Sequence, residues 1–235
     1  MLLSSVEFGK RDSESIVIFL AGYPDNEQSA WGDVLKHVLS SNKFADYRVI
    51  CLCLPDLQDN AKHQPWGYSF IEIVDALDAT INHHVPNLAL KFTLVVHDWG
   101  STVGQMYENR SSRIEKIILF DVGAGLMKGK RSESLAIFIV ILYQWWWAYA
   151  YILSQVFGDR IGNFVYACYG ALVPSSLHPT ALDNIPRPSA SVNVHMCYLY
   201  YRFWKAVFSG TLPSQKFPRC PVLYLVSNRQ PSCTI

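Results

Sequence analysis

Four short apolar runs, separated by segments of helical period, constrain the fold of this chain more than any other feature. The runs are SIVIFL (15–20), YRVICLCL (47–54), FTLVV (92–96) and KIILF (116–120). They are rich in β-branched residues and almost wholly apolar rather than alternating, which predicts strands covered on both faces. Between them, EQSAWGDVLKHVLS (27–40) sets Trp31, Val34, Leu35, Val38 and Leu39 at helical spacing. FIEIVDALDATINHHV (70–85) does the same with Ile71, Val74, Leu77, Ile81 and Val85. This alternation predicts an α/β fold over residues 1–125, with a mostly parallel sheet and crossover helices.

The pattern breaks after Gly125. Residues 126–215 are rich in Trp, Tyr and Phe and carry no short strand, so they read as a helical cap inserted into the core. The strand signal returns at CPVLYLV (220–226), within a last segment of 216–235. Within the cap, LAIFIVILYQWWWAYAYILSQV (135–156) runs without a charge and is long enough to cross a bilayer. Against spanning, Trp145, Trp146, Trp147 and Gln144 lie at its middle, whereas a spanning helix places aromatic residues at its ends. Lys128, Lys130 and Arg131 precede it and would suit a cytoplasmic flank. Two expectations follow: a buried cap helix, or membrane contact through 135–156.

Half of the residues are apolar and the net charge is +1, with no Lys/Arg-rich block. Nucleic-acid binding therefore has no electrostatic footprint. The six cysteines form no CxxC pair and no Cys/His ligand spacing, so no metal site is expected. The N-terminal MLLSSVEFGKRD lacks the long apolar stretch of a signal peptide, which favours an intracellular setting over secretion.

VHDWG (96–100) stands where the third run meets the helix-forming STVGQMYENR. A strand, a sharp turn bearing an acid, and a helix are the parts of a nucleophile elbow. The helix N-terminus favours negative charge on Asp98, which could attack an electrophilic carbon and form an ester. The backbone N–H of Trp99 would be one oxyanion donor. The second would come from AGYP (21–24), directly after SIVIFL, with Tyr23 as the contributor. The plainer reading of Asp98 is a helix N-cap. Ser101 is a poor alternative nucleophile, since GSTVG lacks the G-x-S-x-G spacing.

HDWG after a buried strand, with a G-x-P loop after an earlier one, resembles the α/β-hydrolase superfamily. An Asp nucleophile followed by Trp resembles its epoxide hydrolase and haloalkane dehalogenase branch. Tyr23 in AGYP resembles the epoxide hydrolases, which have HGFP or HGWP, and LPDL (54–57) and PWGYSF (65–70) are similar to family segments. Val96 and Ala21 depart from the Gly and His usual in the family. The resemblance covers 15–125 closely, the cap loosely, and 216–226 by strand position.

The resemblance implies a small hydrophobic substrate, no cofactor, and cap tyrosines that hold the epoxide oxygen, for which Tyr201 in HMCYLYYRFW (195–204) is the best match. It implies an acid partner for the general base, a role Asp121 could fill at the end of KIILF. It places the general-base His after the last strand, and no histidine follows His195. The expectation is a C-terminally truncated α/β-hydrolase, lacking the last strand and helix, with little or no turnover. Its CPVLYLV edge would then be open to self-association. The alternatives are a non-catalytic membrane-associated protein on the same scaffold, and a haloalkane dehalogenase-like hydrolase.

Overall fold

The computed structural model describes residues 1–27, 29–58, 63–120, 132–172, 192–213 and 216–225. These form two units. One comprises Met1–Ala61, Ser69–Gly125 and Pro213–Val226; the other comprises Lys62–Tyr68, Leu126–Leu212 and Ser227–Ile235.

The first unit is built on a six-stranded sheet: β1 (Ser4–Gly9), β2 (Ile16–Leu20), β3 (Arg48–Cys53), β4 (Phe92–His97), β5 (Ile114–Phe120) and β6 (Val222–Leu225). Their spatial order is β1-β3-β2-β4-β5-β6. All neighbours are parallel except β1, which runs antiparallel to β3. The four apolar runs are therefore strands of a mostly parallel sheet. β1 escapes the sequence pattern because SSVEFG carries Ser and Glu where a core strand has apolar residues. It can do so because it lies at the sheet edge.

Helices α1 (Gly32–Ser40), α2 (Phe70–His84) and α3 (Trp99–Glu108) connect the strands. On one face, Phe19, Val49, Cys51 and Val95 pack with Trp31 and Leu35. Helix α3 crosses the other, where Gly104 approaches Leu94 and Val96. Helix α1 begins at Gly32 and not at residue 27. Asn26 and Ser29 instead bond each other's backbone N–H at 2.9 Å, which offers the chain a turn in place of the first helical turns. Its Val34 and Leu39 are exposed. Helix α2 starts on a Ser69/Glu72 capping box. Its buried face is Phe70, Ile73, Val74, Leu77 and Ile81, while Ile71 is turned to solvent. Val74, Leu77, Ile81 and Val85 of the expected face are buried, so only Ile71 departs from it.

The second unit contains α4 (Ser132–Phe157), α5 (Asp159–Leu172), a 3-10 turn at Val194–Cys197 and α6 (Tyr198–Phe208). The expectation of a spanning helix is overturned: among the described residues, no helix is long and apolar enough to cross a membrane. The physical reason lies in the middle of α4. Trp147, Ala150 and Tyr151 are buried. Trp147 sits among the rings of Tyr143, Tyr166, Tyr169 and Tyr200. The indole N–H of Trp146 donates to the Val165 carbonyl at 2.9 Å. Aromatic side chains with polar tips suit such packing and lower the hydropathy of the segment.

Candidate active site

The strand order reverses between β2 and β4, which lie side by side at the centre of the sheet. In open parallel sheets the crevice beyond the carboxyl ends of strands at such a switch point is where ligands bind. Asp98 follows β4 and Gly22-Tyr23 follows β2, so both stretches singled out by sequence arrive at this one place.

Asp98 has φ 50 and ψ −129, outside the comfortable regions for a non-glycine residue. The turn lets β4 pass directly into α3, with the Ser101 N–H donating to the Asp98 carbonyl at 2.8 Å. Asp98 occupies the N-cap position, yet its side chain makes no N-cap hydrogen bond. Its Oδ2 accepts the backbone N–H of Tyr23 at 2.8 Å, and the N–H of Trp99 also bonds the carboxyl group. The two N–H groups expected to stabilise an oxyanion thus converge on one carboxyl group.

Two glycines permit this convergence, and neither role was identified from sequence. A Cβ on Gly22 would stand 2.4 Å from the Trp99 nitrogen and 2.6 Å from Asp98 Oδ2. A Cβ on Gly100 would stand 2.4 Å from the Leu20 carbonyl oxygen. The only sequence signal was their presence within AGYP and HDWG. The Tyr23–Pro24 peptide bond is cis.

Burial is the largest influence on the Asp98 carboxyl and pushes it up to about 6. The Trp99 N–H, the nearby His97 and the Tyr23 N–H oppose burial, while Asp25 adds to it. The group is predominantly ionised at neutral pH but titrates close to it. The rings of His97 and Trp31 stand nearly perpendicular, 6.3 Å between centroids. Ser101 is fully buried, which removes it as a nucleophile.

Asp121 lies outside the described residues. Tyr201 is half-buried on α6 in the second unit. Its ring lies 5.5 Å from Trp66 and 5.6 Å from Tyr151, with the Lys205 ammonium 5.8 Å above it. Among the described residues, no group of His, Cys, Asp and Glu is arranged to hold a metal ion.

No family model matches the sequence. No curated protein matches it either. Solved structures do. The MenH protein of S. aureus superposes with a TM-score of 0.52 at 15% identity, over 94% of this chain and 78% of the other. An epoxide hydrolase from metagenomes of hot environments, of the α/β-hydrolase superfamily, gives 0.53 at 18% identity, over 95% and 76%. A 1H-3-hydroxy-4-oxoquinoline 2,4-dioxygenase gives 0.54 at 14% identity, over 96% and 77%. Proteins of different chemistry share this scaffold, so the likeness speaks to architecture and the site must speak to function. The chain has the α/β-hydrolase fold.

Proposed function

We propose that this chain is a hydrolase of the epoxide-hydrolase type, in which Asp98 opens a small hydrophobic epoxide through an alkyl–enzyme ester. The observation that carries this reading is the environment of one oxygen. Asp98 Oδ2 accepts the Tyr23 N–H at 2.8 Å on a backbone at φ 50, without capping its helix. With Oδ2 held by the Tyr23 N–H, we assign to Oδ1 the attack on the less hindered ring carbon. The C–O bond of the epoxide breaks and the ring oxygen leaves as an alkoxide that needs a proton. Oδ2 becomes the ester carbonyl oxygen. When water adds to the ester, negative charge returns to Oδ2, where the Tyr23 N–H already points and the Trp99 N–H is at hand.

For the proton donor we propose Tyr201, and for the acid partner of the water-activating base Asp121, both on the sequence resemblance. Ester hydrolysis needs a general base, and among the described residues no imidazole is hydrogen-bonded to Asp98. The reading therefore includes ester formation that outruns ester hydrolysis.

Intact-protein mass spectrometry after incubation with styrene oxide tests it. One adduct per chain, localised to Asp98 and absent from Asp98→Asn, is expected. Neither adduct nor diol product would overturn the reading and leave the fold alone. A parallel incubation with 1-chlorohexane distinguishes a dehalogenase, which would form the adduct from the halide and not from the epoxide.

A further inference from the structure

Strand β1 and the last turn of α2 share a hydrogen-bonded array for which the Asp98 chemistry has no use. Ser5 and Glu7 lie two residues apart on β1 and so point to the same sheet face, opposite Leu52 and Ile50 of β3. His84 ends α2 above them. One turn earlier, Thr80 accepts the Leu3 N–H at 2.8 Å, which fixes the helix against the strand. His84 Nε2 is 2.9 Å from Ser5 Oγ, and Nδ1 is 3.3 Å from Glu7 Oε2. The other Glu7 oxygen accepts from Arg48 Nε at 2.8 Å and lies 3.5 Å from Arg11 Nε.

The proton positions follow from these partners. Burial would raise the Glu7 carboxyl, but the bond and charge of Arg48, with the charges of Arg11 and His84, hold it below its ordinary value. An ionised carboxylate can only accept, so the ring proton sits on Nδ1. That leaves the Nε2 lone pair facing the serine hydroxyl. Burial is the main influence on His84 and keeps it below its ordinary value. His83 and Arg48 act the same way, and together they outweigh Glu7. The ring is therefore neutral near pH 7 and free to take a proton. Nucleophile, base and orienting acid stand in the order that activates a serine in unrelated folds.

We propose that Ser5, His84 and Glu7 form a second reactive site, which accepts an acyl group from a small activated ester. Ser5 Oγ adds to the carbonyl carbon as its proton passes to His84 Nε2. The carbon–oxygen bond to the leaving group then breaks, and that group departs with the proton from Nε2. An acyl ester on Ser5 remains, and water releases it by the same proton path. The array is reachable: Ser5 is half-buried, and the side chains of His84 and Glu7 keep 17% and 12% of their surface exposed. β1 is an edge strand, so its outer row of backbone N–H groups has no strand partner among the described residues. Those groups are the donors at hand for the developing oxyanion.

The test uses the full chain carrying Asp98→Asn, which separates this site from the first. Incubation with p-nitrophenyl acetate followed by peptide mass spectrometry should place an acetyl group on Ser5. Its rate should level off above pH 7 and fall in acid as His84 is protonated. His84→Gln can still hydrogen-bond Ser5 but cannot act as a base, and should slow labelling at least about 100-fold. Glu7→Gln should move the midpoint of the pH profile downward. A folded protein, by circular dichroism, with no acetyl on Ser5 would overturn the proposal. So would equal labelling of the His84→Gln chain, since the array would then be only a latch between β1 and α2.

Discussion

The Tyr23 amide reaches Asp98 Oδ2 at 2.8 Å only because Gly22, one residue earlier, has no side chain. The carboxylate, the Trp99 nitrogen and the AGYP loop meet in a space that a single methyl group would fill. The N–H pair and the carboxylate are therefore one construction. It can be disturbed without touching either reacting group.

Gly22→Ala is the cleanest disturbance. Gly22 does not require a positive φ, so alanine meets no backbone penalty there and the effect is steric. The new methyl would press on the Trp99 nitrogen and the Asp98 carboxylate and force the two loops apart. Loss of one oxyanion donor typically costs about 100- to 1000-fold in rate. We expect hydrolysis of the styrene oxide adduct to slow by at least about 100-fold, with a stability loss of about 1–3 kcal/mol by thermal unfolding. An unchanged rate of adduct hydrolysis would detach the Tyr23 N–H from the chemistry.

The titration of Asp98 gives two predictions of opposite appearance. Attack needs the carboxylate, so the rate of adduct formation should fall as pH drops through about 6. For stability, the folded-state pKa lies above the unfolded one, so the native chain binds the proton more tightly. Stability therefore decreases as pH rises from 3.8 to about 6, and the deficit is fully present above that window. Asp98→Asn removes the desolvated charge, and should be more stable than the parent at pH 7.5 by about 1–3 kcal/mol. At pH 4 the gain should be close to zero. Urea denaturation at the two pH values measures the difference.

The sequence carried the sheet and the elbow well, and their assembly poorly. Apolar runs report burial on both faces directly, which is why β2 to β5 were legible within two residues. The polar edge strand β1 reports nothing comparable. β1 is half-buried, and its Ser and Glu serve side-chain bonds to α2 that only the tertiary pairing brings into reach. The same holds at the site. Asp98 was legible as a turn residue on a strand end, whereas the need for glycine at position 22 depends on a loop 75 residues away in the chain. The three tryptophans of α4 were ambiguous because hydropathy does not record which face of a helix meets a partner. Trp147 is buried among tyrosines, while Trp145 stands half-exposed beside Trp204 and Phe208.

Within the second unit, Arg202 ties the PWGYSF segment to α6. Its Nε donates to the Trp66 carbonyl at 2.7 Å and its Nη2 to the Gly67 carbonyl at 2.6 Å. Gly67 has φ 64, and a Cβ there would stand 2.4 Å from the Tyr198 ring. A planar guanidinium serves the two carbonyls from two nitrogens in a fixed fork, which a lysine's single nitrogen does not reproduce. Arg202→Ala should cost about 1–2 kcal/mol, and Arg202→Lys should recover little of it. Gly67→Ala should cost more, since it adds a clash to a strained backbone. Hydrogen exchange should show the loss as faster exchange at Trp66, whose N–H donates to Gln155 at 3.1 Å. Unchanged exchange in both arginine variants would mean that the segment is held by its aromatic contacts alone.

The last prediction concerns β6. It pairs with β5 on one side and is an edge of the sheet among the described residues. Leu223, Tyr224 and Leu225 are 52%, 39% and 39% exposed, so both its apolar side chains and its outer backbone groups face outward. An apolar, exposed edge strand is a template for pairing with another chain. We expect self-association that grows with protein concentration in sedimentation velocity. A charge on the edge should suppress it, as lysine does on natural edge strands, so Leu223→Lys should stay monomeric where the parent associates. Helix α3 and its neighbours contribute no residue to this edge, so adduct formation at Asp98 should be unchanged in that variant. Equal association of the two chains would place the contact elsewhere.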